Sequence, residues 1–190
     1  MNVHTWITND LASVQSKLND SVLSVVPAQR WVEQADDGGS SIAHLLLHVA
    51  RHQDLAVTTA IRDHPPLFAT HRIALGLGDA GPSAGLSERE DTSITALVAL
   101  DPLLTYVAAV FDATRVWLDH VGSMAFDTVP DTDRRLTERA ALSIDDVGWL
   151  HRMWSGKPVS WLVQWPVIGH GHAHVGEAIS VRNRMGLSPF

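Results

Sequence analysis

One stretch of the chain, residues 41–63, is apolar on most faces of a helix, and it constrains the fold more than any other part of the sequence. It reads SIAHLLLHVARHQDLAVTTAIRD. The serines at its start offer an N-cap, and the Pro65-Pro66 pair that follows ends the helical pattern. A helix that is apolar on most sides must be covered by neighbouring elements. We therefore expect this helix at the centre of the protein.

Three other stretches place apolar residues at three- and four-residue steps, which is the spacing of one helix face. They are residues 4–25, residues 101–121 and, near the C-terminus, residues 160–185. In the second of these stretches, Asp101 is expected as the N-cap and Pro102 as the first helical residue.

The segments between these stretches differ in character. Residues 64–100 are rich in Pro, Gly and Ser and are too long for a tight turn, so a crossover connection is expected. Residues 123–142 are polar and irregular. After them, Ser143 and Asp146 resemble a capping box, which predicts a short helix around residues 147–154.

The pattern of elements predicts an all-α protein. The sequence has four long helical stretches, no alternating strand pattern and no internal repeat. A chain of 190 residues is long enough for one sizeable core and marginal for two. We expect a single domain, residues 1–190, folded as a four-helix bundle with long crossover connections.

Composition excludes several classes of function. The chain has a formal charge of -7 and no cluster of basic residues, which disfavours nucleic-acid binding. It has no cysteine, and so no disulfide, thiolate metal site or cysteine nucleophile. No apolar run approaches the roughly 20 residues that span a bilayer, and the first residues do not resemble a secretory signal. We expect a cytoplasmic protein without membrane association.

Imidazoles are concentrated near the C-terminus, in the stretch GHGHAHVGE. On a helix, His170 and His174 lie on one face, one turn apart, and can hold a single ion between them. His172 points away from both. Because three protein ligands are the usual minimum for a catalytic zinc-type centre, a third donor is needed.

The central helix offers that donor. His44, His48 and His52 follow one another at four-residue steps, and spacing alone does not choose between them. His48 has apolar neighbours on both sides and is the ligand we expect. A lone histidine is more often a hydrogen-bonded core residue or a solvated one, but metal sites in bundles are built from imidazoles on converging helices. His48, His170 and His174 are therefore predicted to bind a metal.

Two tryptophans precede the histidine pair on the last helix. In α-helical register, Trp161 and Trp165 lie on the side that faces away from the histidines, so we interpret both as packing residues. Pro166 cannot donate a backbone hydrogen bond and should kink the helix or mark its true start.

Two stretches resemble the DinB/YfiT-like superfamily, whose members are four-helix bundles with a three-histidine metal site and include thiol-dependent transferases. SIAHLLLHVARH, residues 41–52, is similar to the family's second-helix segment with its metal histidine. HGHAHVGEAISVRNRMG, residues 170–186, is similar to its HxxxHxGQ ending. The resemblance spans nearly the whole chain and places His48, His170 and His174 on the ligand positions.

The chain departs from that pattern at three positions. Val175 and Glu177 stand where the family often has Arg and Gln, and His52 stands at a position that is frequently acidic. A carboxylate at Glu177, one turn from His174, is placed to orient a ligand, to transfer a proton or to cap a neighbouring helix.

These features lead to the hypothesis of a metal-dependent enzyme. A divalent ion, zinc or nickel in the first place, would keep open positions for water or a small thiol. The resemblance implies a thiol S-transferase that joins mycothiol or bacillithiol to a small-molecule electrophile, or an isomerase that uses such a thiol as a cofactor. A metal hydrolase is the nearest alternative. Glu177 and His52 are the candidate catalytic proton carriers. A second hypothesis is a non-catalytic bundle that binds a metal or an apolar ligand, or that forms a homodimer. A third is a purely structural bundle.

Overall fold

The computed structural model describes residues 3–35, 39–87, 89 and 91–189. Within these ranges the chain forms helices, turns and irregular segments and no strands, so the predicted all-α class is confirmed. None of the described helices combines the length and the apolarity that a membrane span requires.

The helices are numbered in chain order. Their bounds are α1 Val3–Leu18, α2 Ile42–Asp54, α3 Phe68–His71, α4 Asp91–Thr95, α5 Leu100–His120, α6 Thr132–Ala140, α7 Ile144–Trp154, α8 Val159–Leu162 and α9 His170–Arg184. π-Helical turns extend some of them: Asn19–Leu23 follows α1, Leu55–Ile61 follows α2, and Val163–Gly169 joins α8 to α9.

α2 is the central helix, as its sequence predicts, and all of its residues are buried. Ser41 caps it by accepting a hydrogen bond from the His44 amide at 3.1 Å. α2 packs against α5 and α9, and α1 packs against α9. Gly171 permits the last contact, because a Cβ at this position would lie only 3.0 Å from Cγ1 of Val14.

The long connection between α2 and α5 is anchored at its start by a buried carboxylate. Asp54 accepts hydrogen bonds from the amides of Leu67 and Phe68 at 3.0 and 2.9 Å. It also accepts one from the Tyr106 hydroxyl on α5 at 2.9 Å. These bonds satisfy a buried carboxyl group and fix the start of the connection against both helices.

Arg51, also fully buried, anchors the connection further along. Its Nε donates to the carbonyl of Ala84 at 3.0 Å and its Nη2 to the carbonyl of Pro82 at 2.6 Å. The guanidinium lies 3.7 Å from the centre of the Phe68 ring, a cation–π contact. Since Arg51 holds these carbonyls against α2, the next residue, Gly85, lies beside the histidine face of that helix.

The expectation that residues 123–142 are irregular was wrong, because they contain α6. Its N-cap Asp131 accepts a hydrogen bond from the Arg134 amide at 3.2 Å. Arg134 also pairs with Glu138 at 2.7 Å, one turn further on. The helix buries few apolar side chains, Leu136 chief among them, so no apolar period marks it in the sequence.

The start of α5 also differs from its prediction. Ala99 is the N-cap, without a side-chain hydrogen bond, and Leu100 is the first helical residue, so Asp101 lies inside the first turn. A carboxylate there still interacts favourably with the helix dipole. The predicted cap of α7 is confirmed: Ser143 Oγ accepts from the Asp146 amide at 3.2 Å.

Candidate metal centre

Four histidine rings meet between α2 and α9. The ring centre of His48 lies 4.7 Å from that of His52, 4.9 Å from that of His170 and 4.7 Å from that of His174. His170 lies 4.3 Å from His52 and 4.4 Å from His174 by the same measure. The structure therefore brings together the three predicted ligands and adds His52 to them.

Within this cluster, one set of three can hold a metal ion: a nitrogen from each of His48, His52 and His170 lies within 4.8 Å of the others. The Nε2 atoms of His48 and His170 are 3.2 Å apart. The predicted set, with His174 in place of His52, shares two members with this group and stays a prediction. His52 follows His48 by one helical turn, the same spacing that marked the His170 and His174 pair.

The orientation of His48 is set by the connection. Its Nδ1 donates to the carbonyl of Gly85 at 2.8 Å, so in the neutral ring the lone pair is on Nε2, the atom that faces His170. Gly85 has φ of +78°, and a Cβ there would lie 2.8 Å from Cδ2 of Leu47. A glycine is therefore required for this carbonyl to reach the ring.

His174 is oriented by a carboxylate. Its Nδ1 donates to Oε2 of Glu177 at 2.9 Å, and this hydrogen bond lowers the pKa of the Glu177 carboxyl. The lone pair of a neutral His174 is then on Nε2. Carboxylates and backbone carbonyls are the usual partners that orient metal-bound histidines, and the cluster has one of each.

Two ring nitrogens in the cluster are buried and lack a hydrogen-bond partner among the described residues. They are Nε2 of His52 and Nδ1 of His170. Buried polar atoms are nearly always paired, so each unpaired one calls for an explanation. Nε2 of His52 is available to a metal ion or to a proton, and the donor chemistry of the cluster fits an imidazole-bound divalent ion.

Three rings of the cluster, those of His48, His52 and His170, are uncharged at neutral pH. Burial lowers the pKa of His48 to about 4, although the hydrogen bond to Gly85 opposes the shift. Burial lowers the pKa of His170 to about 3, and the neighbouring His174 and His48 add to this shift. Burial also holds the pKa of His52 well below its ordinary value, with His170 adding to the effect. Neutral imidazoles offer the free lone pairs that metal binding requires.

The other histidines considered on these helices lie outside the cluster. His44 is fully buried and stacks on His48, with ring centres 5.7 Å apart. His172 is placed near Lys17 and Asp10 of α1, and burial is the main reason that its pKa is lowered. The expectation that His172 points away from the pair is confirmed.

An open cavity of about 690 Å³ lies over the histidines. Its floor includes the rings of the cluster, and its walls include Trp149, Trp154 and Trp165. Trp154 is 1% exposed, whereas Trp165 at the edge is 45% exposed. The volume is within the range of small-molecule sites.

The interpretation of Trp165 as a packing residue on the far side of the helix was wrong. The segment Val163–Gly169 is π-helical, with Pro166 inside it. In a π-helix each residue is bonded to the one five positions away, so Trp165 lies on the same side as His170. Its ring covers Gly169, where a Cβ would come within 2.9 Å of the indole.

The fold and the site together define a class of protein: an all-helical protein with a buried histidine cluster that can hold a metal. No protein-family model matches the chain, and no curated protein matches it either. The chain is similar to a solved structure from Enterococcus faecalis described as a conserved protein, with a TM-score of 0.68 over 98% of this chain and 99% of the other. The two sequences are 19% identical, so the likeness establishes the fold alone.

Proposed function

We propose that this chain is a metal-dependent enzyme of the DinB/YfiT-like type that activates a small thiol or water for transfer to a small electrophile. The observation that carries the proposal is a cluster of neutral imidazoles on the floor of an open cavity. The arrangement of α1, α2, α5 and α9 around one core supports the four-helix bundle of that family. The single domain, the cytoplasmic location and the homodimer stay predictions.

His48, His170 and His174 would hold a divalent ion, zinc or nickel in the first place. The hydrogen bonds from His48 to Gly85 and from His174 to Glu177 support this set, because in the neutral rings they place both lone pairs on Nε2. A bound divalent ion supplies a Lewis acid that lowers the pKa of a thiol or water toward neutrality.

His52 is the residue placed to take the proton. It lines the cavity, and its Nε2 has no partner among the described residues. In a thiol transfer, the sulfur bonds to the electrophilic carbon, the leaving group departs with its electron pair, and the S–H proton passes to His52. Glu177 acts through His174 by holding its tautomer. Because the chain has no cysteine, the thiol comes from solution, as mycothiol or bacillithiol would.

The test begins with the metal content of purified protein after incubation with zinc or nickel. Wild type and the His120→Ala control, which alters an exposed histidine, should each carry about one ion per chain. His48→Ala, His170→Ala and His174→Ala should abolish it. His52→Ala should retain the ion; its loss would assign His52 as a ligand in place of a proton carrier.

Turnover separates the enzyme from a non-catalytic module. Metal-loaded protein should accelerate the reaction of a small thiol with 1-chloro-2,4-dinitrobenzene, and His52→Ala should slow it by about 100-fold or more. Stoichiometric metal without turnover of any thiol or ester substrate would favour the binding module. A wild type that takes up neither ion would overturn the metal centre itself.

A further inference from the structure

The cavity over the histidines has an aromatic wall that the metal centre itself does not require. α7 contributes Trp149 and Trp154, and the π-helical segment contributes Trp165. The ring centres of Trp149 and Trp154 lie 5.9 and 6.2 Å from that of His52. An aromatic surface therefore extends from the mouth of the cavity to the edge of the histidine cluster.

The rest of the lining is mostly apolar. Leu86, Met153 and Pro166 complete the walls, and among the described lining residues Arg89 carries the one formal charge. Met153 and Trp165 are 39% and 45% exposed at the mouth. Large apolar side chains exposed around a concave site are typical of a surface that a ligand covers.

We propose that the substrate electrophile carries an aromatic ring that packs against Trp149 and Trp165 in this cavity. As a statement about the substrate, it rests on the proposed metal-dependent activity. A flat ring suits this site because aromatic pairs gain energy beyond their buried area, and Met and Trp surfaces favour ring contacts. A ring in the cavity would also displace water, and expulsion of water from apolar walls favours binding.

The position of the tryptophans relates this ring to the chemistry. A ring in contact with Trp149 lies next to His52, so a reactive carbon attached to that ring lies beside the proposed proton acceptor. Gly169 contributes indirectly, because it leaves room for the Trp165 indole to lie over the helix. Trp149 and Trp165 are thus specificity residues and take no part in proton transfer.

The experiment measures binding of 4-nitrobenzyl alcohol, an uncharged aromatic probe, by isothermal titration calorimetry on the intact protein with and without metal. The variants are Trp149→Ala, Trp149→Phe and Trp165→Ala. Trp6→Ala is the matched control, since Trp6 is 44% exposed and lines a separate cavity with Phe126. Cyclohexylmethanol is the non-aromatic comparison for the probe.

We expect one probe molecule per chain and a Kd that rises about three- to tenfold in Trp149→Ala and in Trp165→Ala. Trp149→Phe should restore most of the affinity, Trp6→Ala should match wild type, and cyclohexylmethanol should bind about three- to tenfold more weakly. The proposal would be overturned by any of three results: no saturable binding of the probe, a loss of affinity in Trp6→Ala equal to that in the cavity variants, or binding of cyclohexylmethanol as tight as that of the aromatic probe. Metal content measured on the same samples keeps the two proposals apart: probe binding without metal uptake refutes the metal centre alone.

Discussion

Substitution of Gly85 by Ala tests how the connection positions the metal centre. Gly85 lies at φ +78°, and a Cβ there would sit 2.8 and 2.9 Å from Cδ2 and Cγ of Leu47. Leu47 is fully buried, so its side chain has little freedom to move away. The same glycine supplies the carbonyl that accepts the hydrogen bond of His48 at 2.8 Å. The substitution therefore perturbs both stability and the orientation of a ligand.

Two contributions determine the loss of stability. An L-residue in the left-handed region costs about 1–2 kcal/mol, and overpacking a filled core costs about 1–3 kcal/mol, so Gly85→Ala should lower the free energy of unfolding by about 2–5 kcal/mol. Gly156→Ala provides the matched control. Its φ is +69°, but a Cβ there meets nothing within 4 Å, so it should lose about 1–2 kcal/mol only.

Urea unfolding of the metal-free proteins, followed by tryptophan fluorescence, measures both free energies. In addition, Gly85→Ala should weaken metal binding by about 10- to 100-fold, because His48 loses its orienting partner, and Gly156→Ala should leave metal binding unchanged. If the two variants lose equal stability and bind metal equally well, the packing of Gly85 against Leu47 and its role beside His48 are refuted.

Acid should destabilise the metal-free protein as the pH falls below about 6.5. In the fold, the pKa values of His48 and His170 are about 4 and about 3, so the unfolded chain takes up protons at these residues before the folded chain does. Full stability lies above about pH 6.5, and a free energy of unfolding that stays flat down to about pH 4 would contradict the burial of these rings. Glu177→Ala removes the acceptor of the His174 Nδ1 hydrogen bond and should weaken metal binding by about 10- to 100-fold, measured by competition with a chromophoric chelator. Equal affinities would show that Glu177 does not orient His174. Tyr106→Phe removes one of the hydrogen bonds to Asp54 and should cost about 1 kcal/mol in urea unfolding. An unchanged value would mean that the hydroxyl contributes nothing.

The long helices could be predicted because each one buries a continuous apolar face. α1 buries Ile7, Leu11, Val14 and Leu18 at three- and four-residue steps, which the sequence displays directly. The same regularity brings His170 and His174 onto one side of α9 and His48 and His52 onto one side of α2. α6 escaped prediction because caps and an exposed ion pair define it, and these signals are weak in a single sequence.

The parts of the site that could not be predicted depend on irregular backbone. Gly85 is one of several glycines in a long connection, and the sequence does not mark it out. Its carbonyl reaches His48 because Gly85 has a left-handed φ and because Arg51 holds the preceding residues in place. Trp165 was assigned to the wrong side because helical periodicity assumes α-helical geometry up to His170. The proline at 166 signals an irregularity but does not specify a π-helical turn.

The position of the histidine pair on α9 depends on the π-helical segment Val163–Gly169, which takes up about one residue more than the α-helical turns it replaces. If the same residues adopted ordinary α-helical bonding, everything after them would turn by about 100° around the helix axis, since an α-helix has about 3.6 residues per turn. His170 and His174 would then leave the side that faces α2. A change between α8 and α9 that restores α-helical bonding without removing a residue should therefore damage the metal centre, whereas loss of one residue together with the π-helical turn should be tolerated.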